Sequence, residues 1–537
     1  LKAAWLKYSE FWVAVSQSCL RLLLSYHRSE AMGTKDGLDA DSIFNAPSFG
    51  YNFDDLVSLP GHAVVHADEI DLTTEFSRNV FLSNPVVAAP MDTVTEAPMA
   101  IAMALIGGIG VIHANCTAAY QASQVSKVKT YRNGFIMDPF VLKPRDRVEQ
   151  VDEIRRLHGI STVLVTESGG MGSKFLGIVT SRDIEQVDRK ELLERIMTPR
   201  DRMIVAKESD GSQGGLSLTE ANMKLRESKK GKLPIIGESG ELVAMVSRRD
   251  LKKSQEFPKA SKDANKQLLV AAACPATIHL PETLERVKCL VEAGVDAIVL
   301  DAAQGCSAQQ VNFLKRVKLD YPNLDIVCGN VVTPRQAKPL LEAGADAIRV
   351  GMGCSSLFSS QEACAVGRPQ GSAVYHVAAL CRQHKVPVIA DGGVRNANHV
   401  AMALTLGAST VMCGSLLAAT EESPGEAFFH NGMRLKNYRG MGALEIMDSG
   451  DSPSVGSTGV GCAVVDRGSV HALVQSMIAD VRREIRRLGV SNISDLHANL
   501  YEKQDGDRYL PPVTRFHIRT PGTYGAASVG LGIGAIF

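Results

Sequence analysis

EAGVDAIV at 292–299, EAGADAIR at 342–349 and LGASTVM at 406–412 decide the fold. In each, a helical pattern ends on a glycine (Gly294, Gly344 or Gly407), the residue that takes the left-handed turn closing a helix, and a buried strand follows. Working outward, eight short β-branched runs recur, most followed by a helical pattern. They are PVVAAPMD (85–92), IGVIHA (109–114), QLLVAAAC (267–274), DAIVLDAA (296–303), LDIVCGN (324–330), DAIRVGMG (346–353), VPVIADGG (386–393) and STVMCGSL (409–416). Strand and helix alternating at this spacing imply a parallel sheet, and eight units favour a closed (β/α)8 TIM barrel over an open sheet.

Between the second and third runs lies an insertion over about 135–255 that is itself duplicated. IMDP (136–139) repeats as IMTP (196–199), and FLGIVTSRDI (175–184) repeats as ELVAMVSRRDL (241–251). Two copies, 135–194 and 195–255, make a pseudo-symmetric pair. The insertion resembles a tandem CBS (Bateman) module, which implies adenine or guanine nucleotides as ligands; a folded spacer is the alternative. Lys229, Lys230 and Lys232 read as a solvated charge run. The expected organisation is an N-terminal extension (1–31), a first barrel segment (32–134), the CBS pair, the rest of the barrel (256–510) and a C-terminal tail (511–537).

The chain has 537 residues, with 58 Lys plus Arg against 58 Asp plus Glu. Zero net charge argues against nucleic-acid or acidic-membrane binding driven by bulk charge. The 11 cysteines include no Cys-x-x-Cys pair, so neither a zinc site nor a disulfide scaffold is expected, and a reducing compartment is the simpler reading. Residues 1–31 contain no 18-residue apolar run, so no membrane span is expected there. Met32 reads as the start of domain-like sequence; an amphipathic targeting helix over 1–31 is the alternative.

In such a barrel chemistry gathers at the C-terminal ends of the strands, and the loops after the seventh and eighth often hold phosphate. Those loops contain Asp391, Gly392 and Gly393, and Gly414 and Ser415. Glycines let backbone N–H groups approach phosphate oxygens, Ser415 adds a hydroxyl, and Asp391 suits a ribose. A phosphorylated small molecule is implied. Neither a Walker loop nor a Gly-x-Gly-x-x-Gly after the first strand is present.

PMDTVTE (90–96), IVLDAAQG (298–305), GNVVT (329–333), RVGMG (349–353), GRPQG (367–371), VIADGG (388–393), TVMCGSLLAATEESPGE (410–426) and YRGMGA (438–443) resemble the inosine-5′-monophosphate dehydrogenase family of the eukaryotic type, from about 38 to about 470. The resemblance implies a cytoplasmic or nuclear homotetramer or higher assembly that oxidises IMP to XMP with NAD, with a potassium ion ordering the catalytic loop. It implies IMP or a related purine mononucleotide at Ser356, Asp391, Gly392, Gly393, Gly414, Ser415, Tyr438, Arg439, Gly440, Met441, Gly442 and Thr458. NAD falls to Asp301, Ala302, Ala303, Asn330, Gly351, Met352 and Gly353. Potassium falls to the carbonyls of Gly353, Ser355 and Phe358.

In that family a loop cysteine attacks C2 of the purine, hydride leaves to NAD, and a flap arginine activates the water that hydrolyses the thioimidate. Here Phe358 stands at the nucleophile's position, and a phenyl ring offers no lone pair. Ser360 replaces the family's threonine. The flap between Asp448 and Gly459 holds no Arg, Tyr or Lys, Thr458 stands for a glutamine, and Ala302 and Ala303 stand for serines. The acidic-glycine segment that completes the potassium site is not visible in the tail. A nucleophile supplied by Cys306, Cys354 or Cys364 would require a rebuilt loop. Three readings follow: an active dehydrogenase; a catalytically impaired homologue serving as a nucleotide-binding regulatory or assembly subunit, which the residues favour; and GMP reductase, whose common forms lack the inserted pair.

Overall fold

The computed structural model describes residues 38–45, 49–63, 65–131, 135–136, 139–158, 162–185, 187–207, 218–227, 231–248, 256–276, 281–355, 361, 365–440, 461–501 and 514–519. Eight parallel strands close into a barrel: β1 (Val86–Ala88), β2 (Ile109–Ile112), β3 (Ala271–Pro275), β4 (Ala297–Asp301), β5 (Asp325–Val331), β6 (Ala347–Val350), β7 (Val388–Asp391) and β8 (Thr410–Cys413). Neighbours follow chain order, and β8 pairs with β1 through Val411 opposite Val86. The expected closed (β/α)8 architecture is the observed one.

The repeated helix-glycine-strand design has one geometry. Helices α1 (Ala97–Leu105) and α2 (Ala118–Lys129) follow β1 and β2; α3 (Pro281–Glu292), α4 (Ala308–Asp320), α5 (Pro334–Glu342), α6 (Gln370–Gln383) and α7 (Ala397–Thr405) follow β3 to β7. Helices α3, α5 and α7 end on Gly294, Gly344 and Gly407, all at positive φ. In α5 the Gly344 N–H donates to Leu341 O and the Ala345 N–H to Leu340 O; the other two repeat this pair of bonds. Two of the orphan carbonyls of the last turn are satisfied and the chain is aimed into the next strand.

The third strand starts at Ala271, four residues later than the expected 267. Leu268 bridges Lys262 in antiparallel pairing and the Leu269 N–H donates to Ser261 O, so residues 262–269 form a small hairpin before β3 begins. Its neighbour Asp296 accepts from Lys129 Nζ at 2.7 Å and from the Val270 N–H at 2.8 Å. Burial pushes the Asp296 carboxyl up to about 6, against the pull of Lys129. A carboxyl raised in the folded state holds its proton more tightly there than in the unfolded chain. Its stabilising contribution is therefore complete below the unfolded value near 3.8 and is lost as pH rises through about 6. Relative to Asp296→Asn, the unfolding free energy is expected to fall by roughly 1 kcal/mol between pH 5 and pH 7. Denaturant titrations of both proteins across that range measure it, and parallel curves would refute it.

The inserted region forms two four-stranded sheets. One has the order Thr198–Pro199, Phe175–Thr180, Thr162–Thr166, Val141–Leu142; the other Ala206–Lys207, Lys232–Ile236, Leu242–Ser247, Phe135–Ile136. Each copy's opening strand pairs into the other copy's sheet: Phe135 and Ile136 meet Val246 and Met245, and Thr198 and Pro199 meet Ile178 and Gly177. The two sequence copies are thus not two separate sheets. Lys232 opens a strand, whereas Lys229 and Lys230 lie outside the described residues. Part of the segment expected to be tail, Arg515–Ile518, is the central strand between Leu38–Asp39 and Leu56–Ser58. Among the described residues, no helix is long and apolar enough to cross a membrane.

Candidate functional site

At the C-terminal ends of β4 to β7, two carboxylates converge on one buried cation, and an asparagine braces one of them. Arg349, inside the otherwise apolar β6, is 7% exposed. Its Nη1 donates to Asp301 Oδ1 at 2.5 Å, from the end of β4, and its Nε donates to Asp391 Oδ2 at 3.0 Å, from the end of β7. Burial works against the guanidinium charge, but the two carboxylates outweigh it and raise its pKa. Asn330, on β5, donates from Nδ2 to Asp391 Oδ2 and to Gly351 O, both at 2.8 Å. Among the described residues, Asn330 Oδ1 is buried without a partner, an acceptor unspent at the barrel mouth.

The backbone around these groups is closely fitted. Asp391 is followed by Gly392 and Gly393, both left-handed at φ 92 and 75. The Gly393 carbonyl lies 3.0 Å from His399 Nδ1, and His399 Nε2 lies 2.7 Å from Asp54 Oδ1, so a buried imidazole backed by a carboxylate sits beside the turn. Gly414 caps the short helix α8 (Ser415–Ala418) directly after β8. A Cβ there would stand 2.8 Å from the hydroxyl of Tyr438, whose pKa burial raises. That hydroxyl donates to Met91 Sδ at 3.8 Å. Arg439 grips Asp92 with three bonds of 2.6 to 3.3 Å, and Asn115 Nδ2 donates to the same carboxylate. This ties the strand carrying Tyr438 to the loop after β1.

The structure therefore brings Asp301, Asn330, Gly351, Asp391, Gly392, Gly393, Gly414, Ser415 and Tyr438 to one barrel mouth, with Arg439 and Gly440 at its rim. Met352 is buried and Gly353 is left-handed at φ 73. Ala302 O accepts the Asn330 N–H at 2.9 Å, so its backbone builds the site although its side chain offers no hydroxyl; Ala303 likewise offers none. Ser356, Phe358, Ser360, Met441, Gly442, Thr458 and the flap lie outside the described residues, as does Cys364. Asp301 fits a ribose diol: one oxygen is held by Arg349 and the side chain remains 28% exposed. Of the three carbonyls expected to hold potassium, those of Gly353 and Ser355 belong to described residues and that of Phe358 lies outside them.

Among the described residues, Cys354 packs directly against this machinery. Its Sγ donates to Gln370 Oε1 at 3.2 Å and lies 3.6 Å from Asp391 O. Burial, with the Asp391 charge adding, pushes the thiol up to about 12. Both effects favour the protonated thiol.

Comparison with known proteins decides the lineage. The family profile described as IMP dehydrogenase / GMP reductase domain matches residues 50–504. The chain belongs to this family. Inosine-5′-monophosphate dehydrogenase of Toxoplasma gondii is 45% identical over 527 residues, covering 87% of this chain and 94% of that protein. The enzymes of the same name from Schizosaccharomyces pombe and Trypanosoma brucei brucei are each 42% identical, over 86% and 88% of this chain and 90% and 92% of theirs. Among solved structures, a GMP reductase variant of Trypanosoma brucei in complex with guanosine 5′-monophosphate superposes with TM-score 0.74 at 32% identity. It covers 90% of this chain and 99% of its own. The inserted region therefore does not separate dehydrogenase from reductase, which corrects the argument drawn from the common reductase forms.

Within this IMP dehydrogenase / GMP reductase family member, the RVGMG motif contains Arg349, a residue with no role among the expected site residues. The available signal was an arginine inside a strand of apolar residues, since a charge is almost never fully buried unless paired. Asp54, Asp92 and His399 offered no comparable signal.

Proposed function

We propose that this protein binds IMP, or a closely related purine 5′-mononucleotide, at the barrel mouth. The phosphate lies between the turn at 391–393 and the Gly414 and Ser415 turn, and the ribose lies on Asp391. The observation that carries the reading is the convergence of Asp391, two consecutive left-handed glycines and the β8 turn at the strand ends where barrels hold phosphate. NAD is the second partner, with its ribose on Asp301.

This chain does not run the thioimidate route. Phe358 supplies no nucleophile, and Cys354 is a protonated, hydrogen-bonded thiol. The protein acts as a nucleotide-binding regulatory or assembly subunit of cytoplasmic homotetramers. The inserted pair, read as tandem CBS units, takes adenine or guanine nucleotides.

Calorimetry of the full chain with IMP, beside an NADH absorbance assay with IMP and NAD, tests both halves. IMP is expected to bind, and the wild type to produce no NADH above background, with Phe358→Cys assayed in parallel. Absence of IMP binding would overturn the mononucleotide reading, and NADH production by the wild type would overturn the non-catalytic one. GMP reductase is the second reading, favoured by the solved neighbour that spans the insertion. GMP-dependent oxidation of a reduced nicotinamide by the wild type would establish it.

A further inference from the structure

We propose that Gln370 is a positioning residue that couples the turn at 391–393, read above as the nucleotide cradle, to the segment 351–355 after β6. Gln370 is the first residue of α6 and is 1% exposed. Its Nε2 donates to Val350 O at 2.8 Å and to Asp391 O at 2.9 Å, joining the ends of β6 and β7. Its Oε1 accepts from Cys354 Sγ at 3.2 Å. Two carbonyls on one side and a thiol donor on the other fix the amide orientation, because a flipped amide would aim its oxygen at two carbonyl oxygens.

The packing around the amide leaves little slack. A Cβ on Gly392 would stand 2.8 Å from Cys354 Sγ, and one on Gly351 would stand 3.1 Å from Gln370 Nε2. The 351–355 segment thus moves only if the thiol leaves the amide or the amide leaves Asp391. A ligand that fixes the 391–393 turn fixes the segment as well. The coupling rests on the mononucleotide reading for its ligand but not for its geometry.

Amide hydrogen exchange of the full chain, with and without IMP, tests this in Cys354→Ala, Cys354→Ser and Gln370→Glu. In ligand-free Cys354→Ala, exchange is expected to rise about tenfold both in 351–355 and at Gly392 and Gly393. Cys354→Ser, whose hydroxyl still donates to Oε1, is expected to match the wild type. IMP protects 351–355 in the wild type and in Cys354→Ser but not in Cys354→Ala, although the Cys354→Ala Kd for IMP rises no more than about threefold. Gln370→Glu turns a carboxylate oxygen toward two carbonyls and is expected to weaken IMP binding about thirtyfold or more.

Exchange that rises in Cys354→Ala only within 351–355 would overturn the proposal, as would Cys354→Ser behaving like Cys354→Ala. If Gln370→Glu fails to fold, the two Cys354 variants decide. If the wild type does not bind IMP, the mononucleotide reading fails, and the ligand-free exchange of 351–355 against 392–393 still decides the coupling.

Discussion

Arg349→Met is expected to lower the unfolding free energy by about 3–5 kcal/mol and to abolish IMP binding. The reason is the charge left behind. Asp301 and Asp391 both point at the guanidinium, and removing it leaves two carboxylates facing a buried gap with, among the described residues, Asn330 Nδ2 donating to one of them. Such a site relaxes by turning Asp391 outward or by taking up a proton, and either change removes the acceptor offered to the ribose. Arg349→Lys separates charge from geometry. An ammonium is a point donor without the planar fork that reaches two carboxylates, so it is expected to recover part of the stability and little of the binding. Denaturant unfolding and calorimetry with IMP measure the two effects. Wild-type affinity in Arg349→Met would refute the role given to this cation.

Gly351→Ala is the second large effect. Gly351 has φ 150, and a Cβ there would stand 1.8 Å from the Asp391 carbonyl oxygen, a backbone atom with no rotamer to yield. Separation of β6 from β7 at the mouth is the only relief, and it costs the bonds that Asn330 and Gln370 make across them. A loss of about 4 kcal/mol or more is expected. Gly393→Ala is the matched control: φ is 75 and the nearest atom to a new Cβ is 3.4 Å away. Only left-handed strain applies there, about 1–2 kcal/mol. Equal losses at the two glycines would show that clash with Asp391 is not the cause.

The barrel was legible because its determinants are local. Gly294, Gly344 and Gly407 each terminate a helix through bonds to residues three and five positions back, and the apolar run that follows has no stable place except a buried parallel strand. The turn glycines 392 and 393 and the helix cap Gly414 were readable for the same reason, since a left-handed or cap position restricts residue type where it stands.

The site's electrostatics were not readable in that way. Arg349 meets partners 48 and 42 positions away, and His399 meets Asp54 across 345. The apolar neighbours of Arg349 mark a buried, paired cation, but nothing near it in the chain names its partners. The exchange of opening strands in the inserted pair was hidden likewise, because a repeat shows that two units are alike without showing which strand completes which sheet. By itself the sequence determined the parallel barrel, its family and the absence of a cysteine at position 358, all properties of short segments. Only the tertiary structure decided which carboxylates Arg349 neutralises, that Gln370 spans β6 and β7, and that Cys354 is a proton donor. Barrel closure sets those distances, and an ion pair or buried hydrogen bond exists only where closure brings donor and acceptor within about 3 Å.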